Sequence, residues 1–345
     1  MRNIPRIKRD DHSKGFTLVE LMVAMVLGLL LLAGIVSAFV ANRQVYRTNE
    51  NMARLQETAR IVNELMGRDI RAAGGNPCGT PLVANVLNNP ASNWWSNWAA
   101  GSLVGYDDNQ SASFKAFGGN VADRIQGTDA LLVLSATTKE GVSIVSHNPP
   151  AAQFQVNTVN HGINVGDILM VCDPATAAIF QVTNAQPGTN TTIVHQTGTG
   201  TPGNCSKGLG YPTVCTTNGT PKDFTGGILA RFSAGFWYIG NNGQGGRSLY
   251  RLGMDGGPSS IATQEIVENV TDMQIQYLTR NGNTLANSYV GASGISDWTN
   301  GATNLVVAAR VTLTLQTGEN VSTTQGNIQR TVSFTTSIRN REVVQ

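Results

Sequence analysis

The sequence predicts an α+β fold, with one long amino-terminal helix packed on a C-terminal, antiparallel β-rich domain. Three observations predict it. Phe16 to Ala41 is a 26-residue apolar run interrupted by a single charge, Glu20. The segment that follows, as far as Ala73, carries one apolar stripe at helical spacing. Beyond Gly75, short β-branched runs alternate with Asn, Gly, Thr and Pro clusters, the texture of strands and turns. Composition agrees. Only 13% of residues are charged and 38 of 345 are glycine, which favours a loop-rich β domain over a helical bundle or a disordered chain.

The apolar segment comes first. Leu21 to Val40 gives twenty residues without a charge. From Phe16 to Ala41 a helix would be about 39 Å long, ample for a hydrocarbon core of about 30 Å. Arg2, Arg6, Lys8, Arg9 and Lys14 precede it, and Arg43, Arg47 and Arg54 follow. This modest bias places the amino terminus inside the cell. The segment is too long for a secretory signal peptide, and no A-x-A-like site follows it. A plain signal anchor explains the length and the basic flank, but it leaves Glu20 unexplained.

The helix continues past the membrane length. Met52, Leu55, Ala59, Val62, Met66 and Ile70 recur at spacings of 3, 4, 3, 4 and 4, one stripe of an amphipathic helix. Glu50–Arg54 and Glu64–Arg68 stand at i,i+4 on the other face with the acid first, the favourable order. Gly74, Gly75 and Pro77 end the pattern. No proline interrupts Phe16–Ala73, so a single helix is expected; two helices with a hinge near Ala41–Asn42 are the alternative. The chain thus divides into 1–15, a basic leader; 16–41, a membrane helix; 42–74, its amphipathic continuation; and 75–345, the β-rich domain.

Strands are expected at 129–136, 153–159, 167–173, 178–183, 228–240, 248–253, 272–280, 304–317 and 329–341. "NNGQGGR" reads as a hairpin turn, and "GENVSTTQGN" as the loop of a final hairpin. Pro77–Ser113, with Trp94, Trp95 and Trp98, is less regular; the tryptophans serve either the core or a contact surface.

Four cysteines, Cys78, Cys172, Cys205 and Cys215, form no CxxC. In an exported domain they read as two disulfides, with three possible connectivities. Cys205 and Cys215 flank a Gly/Pro loop, "SKGLGYPTV", which favours that pair and leaves Cys78 for Cys172.

Net charge is +2. Five of the 24 basic and two of the 22 acidic residues lie in the first 15, leaving 19 against 20 in the rest. That argues against a nucleic-acid binder, which needs clustered cations to neutralise phosphates. There is no HExxH, P-loop, strand-borne GxGxxG or GxSxG, and "GASGIS" at 291–296 has the wrong glycine spacing. His147, His161 and His195 form no motif and read as solvated loop or strand-end residues. "YDDNQ" at 106–110 lacks the alternating oxygen spacing of a calcium loop and reads as a turn. No catalytic residue, cofactor or metal site is expected.

"KGFTLVELMVAM" closely resembles the amino-terminal signal of type IV prepilins: a basic residue, Gly, Phe, Thr, Leu, a branched residue, Glu, then an apolar helix. The resemblance implies that the leader 1–15 is cleaved by a prepilin peptidase between Gly15 and Phe16. It further implies that Phe16 is then N-methylated, and that Glu20 is the assembly glutamate. "RDIRAAGGNPCG", "GDILMVCDPATAAIFQVT", "FWYIGNNGQGGRSLYRL", "EIVENVTDMQIQYL" and "AARVTLTLQT" leading to "SIRNR" resemble PilW-like minor pilins. Minor pseudopilins of type II secretion of the GspJ kind share this plan and are the alternative, with a surface-binding module behind them. Many major pilins carry a kinking proline where this chain has Ser37. Here flexibility would rest on Gly28 and Gly34, each weakening a helix by roughly 1 kcal/mol.

The resemblance implies an inner-membrane protein with a cytoplasmic amino terminus and a periplasmic β domain, later part of the pilus. The implied partners are other minor pilins, the major pilin, a PilY-like tip adhesin, prepilin peptidase and the inner-membrane assembly platform. The expected role is initiation of pilus assembly in a tip complex.

Overall fold

The computed structural model describes residues 15–138, 141–318 and 326–341. Most of the leader, and most of the loop expected at 318–327, therefore lie outside the described residues. A single 55-residue helix, α1 (Leu18–Ala72), opens the chain. It runs through Ala41–Asn42 without a break, and through both Gly28 and Gly34. The chain forms two compact units, Met1–Ala53 and Arg54–Gln345, whose boundary falls inside this helix.

The described part of the first unit is helix from Leu18 onward, and its apolar side chains other than Met52 are exposed. Phe16 is 89% exposed, and Leu18, Leu29, Leu31 and Phe39 are likewise open. This is the one helix, among the described residues, long and apolar enough to cross a membrane.

In the second unit the rest of α1 packs on β structure. Leu55, Val62, Met66 and Ile70 of the apolar stripe are buried, with Ala59 half-buried; Met52 of the stripe, in the first unit, is half-buried as well. Gly67 is buried too, and a Cβ there would stand 3.4 Å from the Thr336 hydroxyl. The helix ends at Gly74, whose positive φ of 71° suits glycine. The chain then joins the sheet: Gly74 N–H donates to the Leu134 carbonyl, and Ala136 N–H donates to Gly75.

The largest sheet has eight strands. Its centre is the 14-residue strand Ile228–Asn241. One edge of that strand pairs with Ala130–Thr137; the other pairs first with Ile168–Cys172 and then with Arg247–Asp255. Ala177–Gln181 and Ala262–Glu268 extend the sheet outward. Ile168–Cys172 is buried on both faces. Ile168 and Met170 enter one hydrophobic cluster, while Leu169 and Val171 enter another, as period-2 alternation requires. The sheet is not wholly antiparallel, because Val83–Asn85 pairs in parallel with Ala177–Ile179.

A second, four-stranded sheet is formed by the C-terminal part of the chain. It runs in the order Thr284–Leu285, Val270–Asn281, Asn304–Gln316, Gln329–Ser337. Its last two strands pair from Ala308 with Ser337 to Gln316 with Gln329. The expected 329–341 strand stops at Ser337, and Arg339–Arg341 form a short 3-10 turn. A third small sheet contains Ile144–Asn148, Gln153–Val156, Thr192–Val194 and Asn184–Ala185.

Candidate functional site

The start of α1 is built on a reciprocal cap. Thr17 precedes the first helical residue, and its hydroxyl accepts the Glu20 N–H at 3.2 Å. The Glu20 carboxylate in turn accepts both the Thr17 N–H and the Thr17 hydroxyl, each at 3.0 Å. This is the capping-box arrangement of Thr at N-cap with Glu at N3, which satisfies two otherwise orphaned donors. Glu20 also places negative charge in the first turn, where the helix dipole favours it. Thr-x-x-Glu before an apolar run is a sequence signature of this cap; reading Glu20 only as an isolated charge misses it. Gly15 and Phe16 lie just before the cap, both exposed, with nothing within 4 Å of a Cβ built at Gly15.

Farther along, Asp69 fastens the helix to the large sheet. Its carboxylate accepts the Trp237 indole N–H at 3.1 Å and the Arg251 Nε–H at 3.1 Å. Arg251 also reaches Asp255 at 3.3 Å. The apolar periodicity that places the stripe carries no signal for this link. At the far end of the chain Arg341 is buried. It donates to the Val306 and Trp298 carbonyls, the Ser102 hydroxyl and the Asn300 side chain. Burial lowers its pKa to about 10.

The structure joins Cys78 to Cys172 and Cys205 to Cys215. The first bridge spans 94 positions and ties the turn after α1 to the end of strand Ile168–Cys172. The second spans 10 positions and closes a local loop.

The histidines depart from the sequence expectation. None of the three is solvated: His161 and His195 are fully buried and His147 nearly so. His147 Nδ1 accepts the Phe224 N–H at 3.1 Å, so its proton sits on Nε2. That proton faces His195 Nε2 at 3.2 Å. The rings pack against Phe154 with centroids at 4.3 and 4.7 Å. Burial lowers the His147 pKa to about 4. Burial, then the neighbouring His147, lowers that of His195 to about 3. The sequence separates the pair by 48 positions, and only the small sheet brings them together. No group of three or more His, Cys, Asp or Glu among the described residues is placed to hold a metal.

"YDDNQ" is a turn with a structural task. Asp107 accepts the N–H groups of Ala292 and Ser293 at 2.6 and 2.7 Å. Arg124 is fully buried beside it and donates to the Gln110, Asp107 and Thr128 carbonyls. Trp95 and Trp98 are core residues, while Trp94 is half-buried and stacks on Phe114 at 5.2 Å.

Comparison with known proteins gives two matches. Residues 236–341 match the family described as Type IV Pilus-assembly protein W. Residues 11–36 match the Prokaryotic N-terminal methylation motif, which contains Gly15, Phe16 and Glu20. No curated protein and no solved structure matches the chain. The longer match begins within the central strand of the large sheet and ends at Arg341, so it takes in the whole C-terminal sheet.

Proposed function

We propose that this PilW-like type IV minor pilin is made as a prepilin, cut between Gly15 and Phe16 and N-methylated on Phe16. It then helps to initiate pilus assembly in a minor-pilin complex at the tip. One observation carries the reading. A methylation-motif match that runs into the exposed apolar half of the long helix is joined, in the same chain, by a pilus-assembly match over the C-terminal part. Both matches point to a structural protein that works with other pilus components and is anchored in a membrane by its amino-terminal helix. The longer match is to a pilus-assembly family, which favours a pilus over a secretion pseudopilus.

The chemistry of the cut supplies the mechanism. Cleavage after Gly15 gives Phe16 a free amine, which at an ordinary pKa of about 7.7–8 is mostly cationic at pH 7. An unpaired ion in hydrocarbon costs several kcal/mol. Glu20 is one helical turn away and serves as counter-charge, in the same subunit or in a neighbour. The capping box already holds its carboxylate at the helix start, so the anion is in place before the cation exists. Pairing then sets the depth and register of the incoming subunit, and the exposed Leu, Val and Met side chains supply the packing. The proposed partners are other minor pilins, the major pilin, a PilY-like tip adhesin, prepilin peptidase and the inner-membrane platform. The β-rich domain faces the periplasm.

Glu20→Gln separates the two tasks of this residue. Gln retains an oxygen that accepts in the capping box but removes the charge. Mass spectrometry should find the mature Phe16 terminus at the normal level. Quantitative blotting of sheared pili should find incorporation reduced at least tenfold. Gly15→Ala should leave the leader attached. Normal incorporation of Glu20→Gln would remove the counter-charge role, and a mature Phe16 terminus in Gly15→Ala would remove the leader assignment.

A further inference from the structure

A groove of about 600 Å3 opens on the domain between the segment 91–106 and Trp298. Its size falls within the roughly 300–1,000 Å3 of small-ligand sites. Four aromatic side chains line it: Trp94, Tyr106, Phe114 and Trp298. They are held by one another and by the core. Trp94 stacks on Phe114 at 5.2 Å, Tyr106 meets Phe114 edge-on at 6.4 Å, and Tyr277 meets Trp298 edge-on at 4.9 Å. Phe114 and Tyr106 are further fixed on buried Phe236, at 4.9 and 5.6 Å. Gly101 brings the two walls together. It has a positive φ of 126°, and a Cβ there would run into the Trp298 carbonyl.

The polar groups of the groove are neutral. Asn93 and Ser113 line it beside the Tyr106 phenol, and no charged residue does. Among the described residues, the side chains of Asn93, Ser113 and Tyr106 make no hydrogen bond within the chain. Charges adjacent in sequence to the lining residues are engaged elsewhere: Asp297 accepts the Thr299 N–H at 2.9 Å. Lys115 lies over the Tyr238 ring at 5.2 Å, and both Asp107 carboxylate oxygens accept backbone N–H groups of 292 and 293.

We propose that this groove binds a neutral saccharide of one or two pyranose rings. A pyranose presents C–H groups on its faces and hydroxyls around its rim. The C–H face suits the electron-rich face of an indole or phenol, and the rim suits an amide and hydroxyls with unused hydrogen-bonding capacity. A sulfated, sialylated or phosphorylated ligand finds no cation here. An apolar ligand would bury the Asn93 amide and the two hydroxyls without partners. The binding site is independent of the pilus reading, and would give an assembly subunit a recognition surface on its globular domain.

The test uses the full chain in lauryldimethylamine oxide micelles, because a glycoside detergent would itself compete. Cellobiose, lactose, maltose and chitobiose are titrated by calorimetry and by intrinsic tryptophan fluorescence. At least one should bind saturably, with Trp94→Ala weakening it tenfold or more and Tyr106→Phe at least threefold. If Trp94→Ala unfolds, Asn93→Ala and Tyr106→Phe retain the aromatic framework and decide the matter. The proposal is overturned if none of the four sugars binds, or if the variants bind as well as the parent. Preference for sialyllactose or for a proline-rich peptide would also overturn it.

Discussion

From Leu18 to Ala53 the long helix exposes leucine, valine and methionine around its circumference, whereas from Arg54 to Ala72 it buries Leu55, Val62, Met66 and Ile70 and turns charge outward. One unbroken backbone thus serves two surroundings. In the first half none of the described residues covers the apolar surface, so stability must come from hydrocarbon or from other helices. In the second half the β-rich domain covers it, and Asp69 adds a directed link to Trp237 and Arg251. At the start of that first half a side-chain polar network caps the first turn, where backbone donors would otherwise be unsatisfied.

The same substitution should therefore fail differently in the two halves. Met66 is 0% exposed. Met66→Asp buries a carboxylate with no partner and should cost more than about 4 kcal/mol, enough to lose the folded domain. Near-ultraviolet circular dichroism and thermal unfolding would report it. Leu29→Asp should leave that transition unchanged while weakening insertion by about 2.5–3.5 kcal/mol, read by carbonate extraction of membranes. A normal domain in Met66→Asp would deny that the stripe is core.

The two bridges sharpen the contrast within the β-rich domain. In the chain-entropy picture a loop of about 100 residues contributes about 4.7 kcal/mol and one of about 15 contributes about 3. Cys78→Ala/Cys172→Ala should thus lower the denaturant midpoint more than Cys205→Ala/Cys215→Ala. Equal losses would mean that local packing, not chain constraint, sets their value.

The buried histidines give a smaller, pH-dependent effect. Their folded pKa values, about 4 and about 3, lie below the ordinary value of 6.5. The unfolded chain therefore binds these protons more readily. Their contribution is full above pH 6.5 and is lost as pH falls towards 3, at up to about 1.4 kcal/mol per pH unit for each ring. Asp129 acts in the opposite sense, because burial raises its pKa to about 6. Its protonation favours the folded state between about pH 6 and its ordinary value of 3.8. Thermal melts between pH 7.5 and 4 should fall with acid, and less steeply in His195→Gln, which keeps an acceptor for His147 Nε2. An unchanged slope in His195→Gln would show that the acid loss arises elsewhere.

Much of this organisation was legible because it rests on local repetition. The apolar run, the 3,4 stripe and the alternation in 272–280 each state their surroundings in residue order. The nine expected strands all have counterparts, though 153–159 shortens to Gln153–Val156 and 329–341 to Gln329–Ser337. Val83–Asn85, Leu103–Tyr106 and Thr192–Val194 escaped notice because strands of three or four residues show no period. The histidine pair escaped for a different reason. Polar neighbours in sequence suggested solvent, but Phe154, Phe180 and Phe224 close around the rings only in the folded domain. Asp69 likewise finds Trp237 and Arg251 across 168 and 182 positions. The motif match at 11–36 takes in Gly15, Phe16 and Glu20 because it is carried by adjacent residues; the Thr17–Glu20 cap is equally local, but attention to the lone charge passes over it.

The smallest effect tests the cap itself. Thr17→Val keeps the shape of the side chain but removes the hydroxyl that accepts the Glu20 N–H and donates to its carboxylate. Loss of an N-cap hydroxyl costs about 1 kcal/mol, roughly a fivefold change in the local opening equilibrium. Amide exchange at Glu20 and Leu21, whose N–H groups Thr17 accepts, should accelerate in micelles by about that factor, while Thr17→Ser should not. The domain transition should be identical in all three proteins, because Met66 and Ile70, not the first turn, hold the β-rich unit. If Thr17→Val exchanged as slowly as the parent, hydrocarbon alone would be ordering the first turn. The membrane and not Thr17 would then hold the Glu20 carboxylate in place.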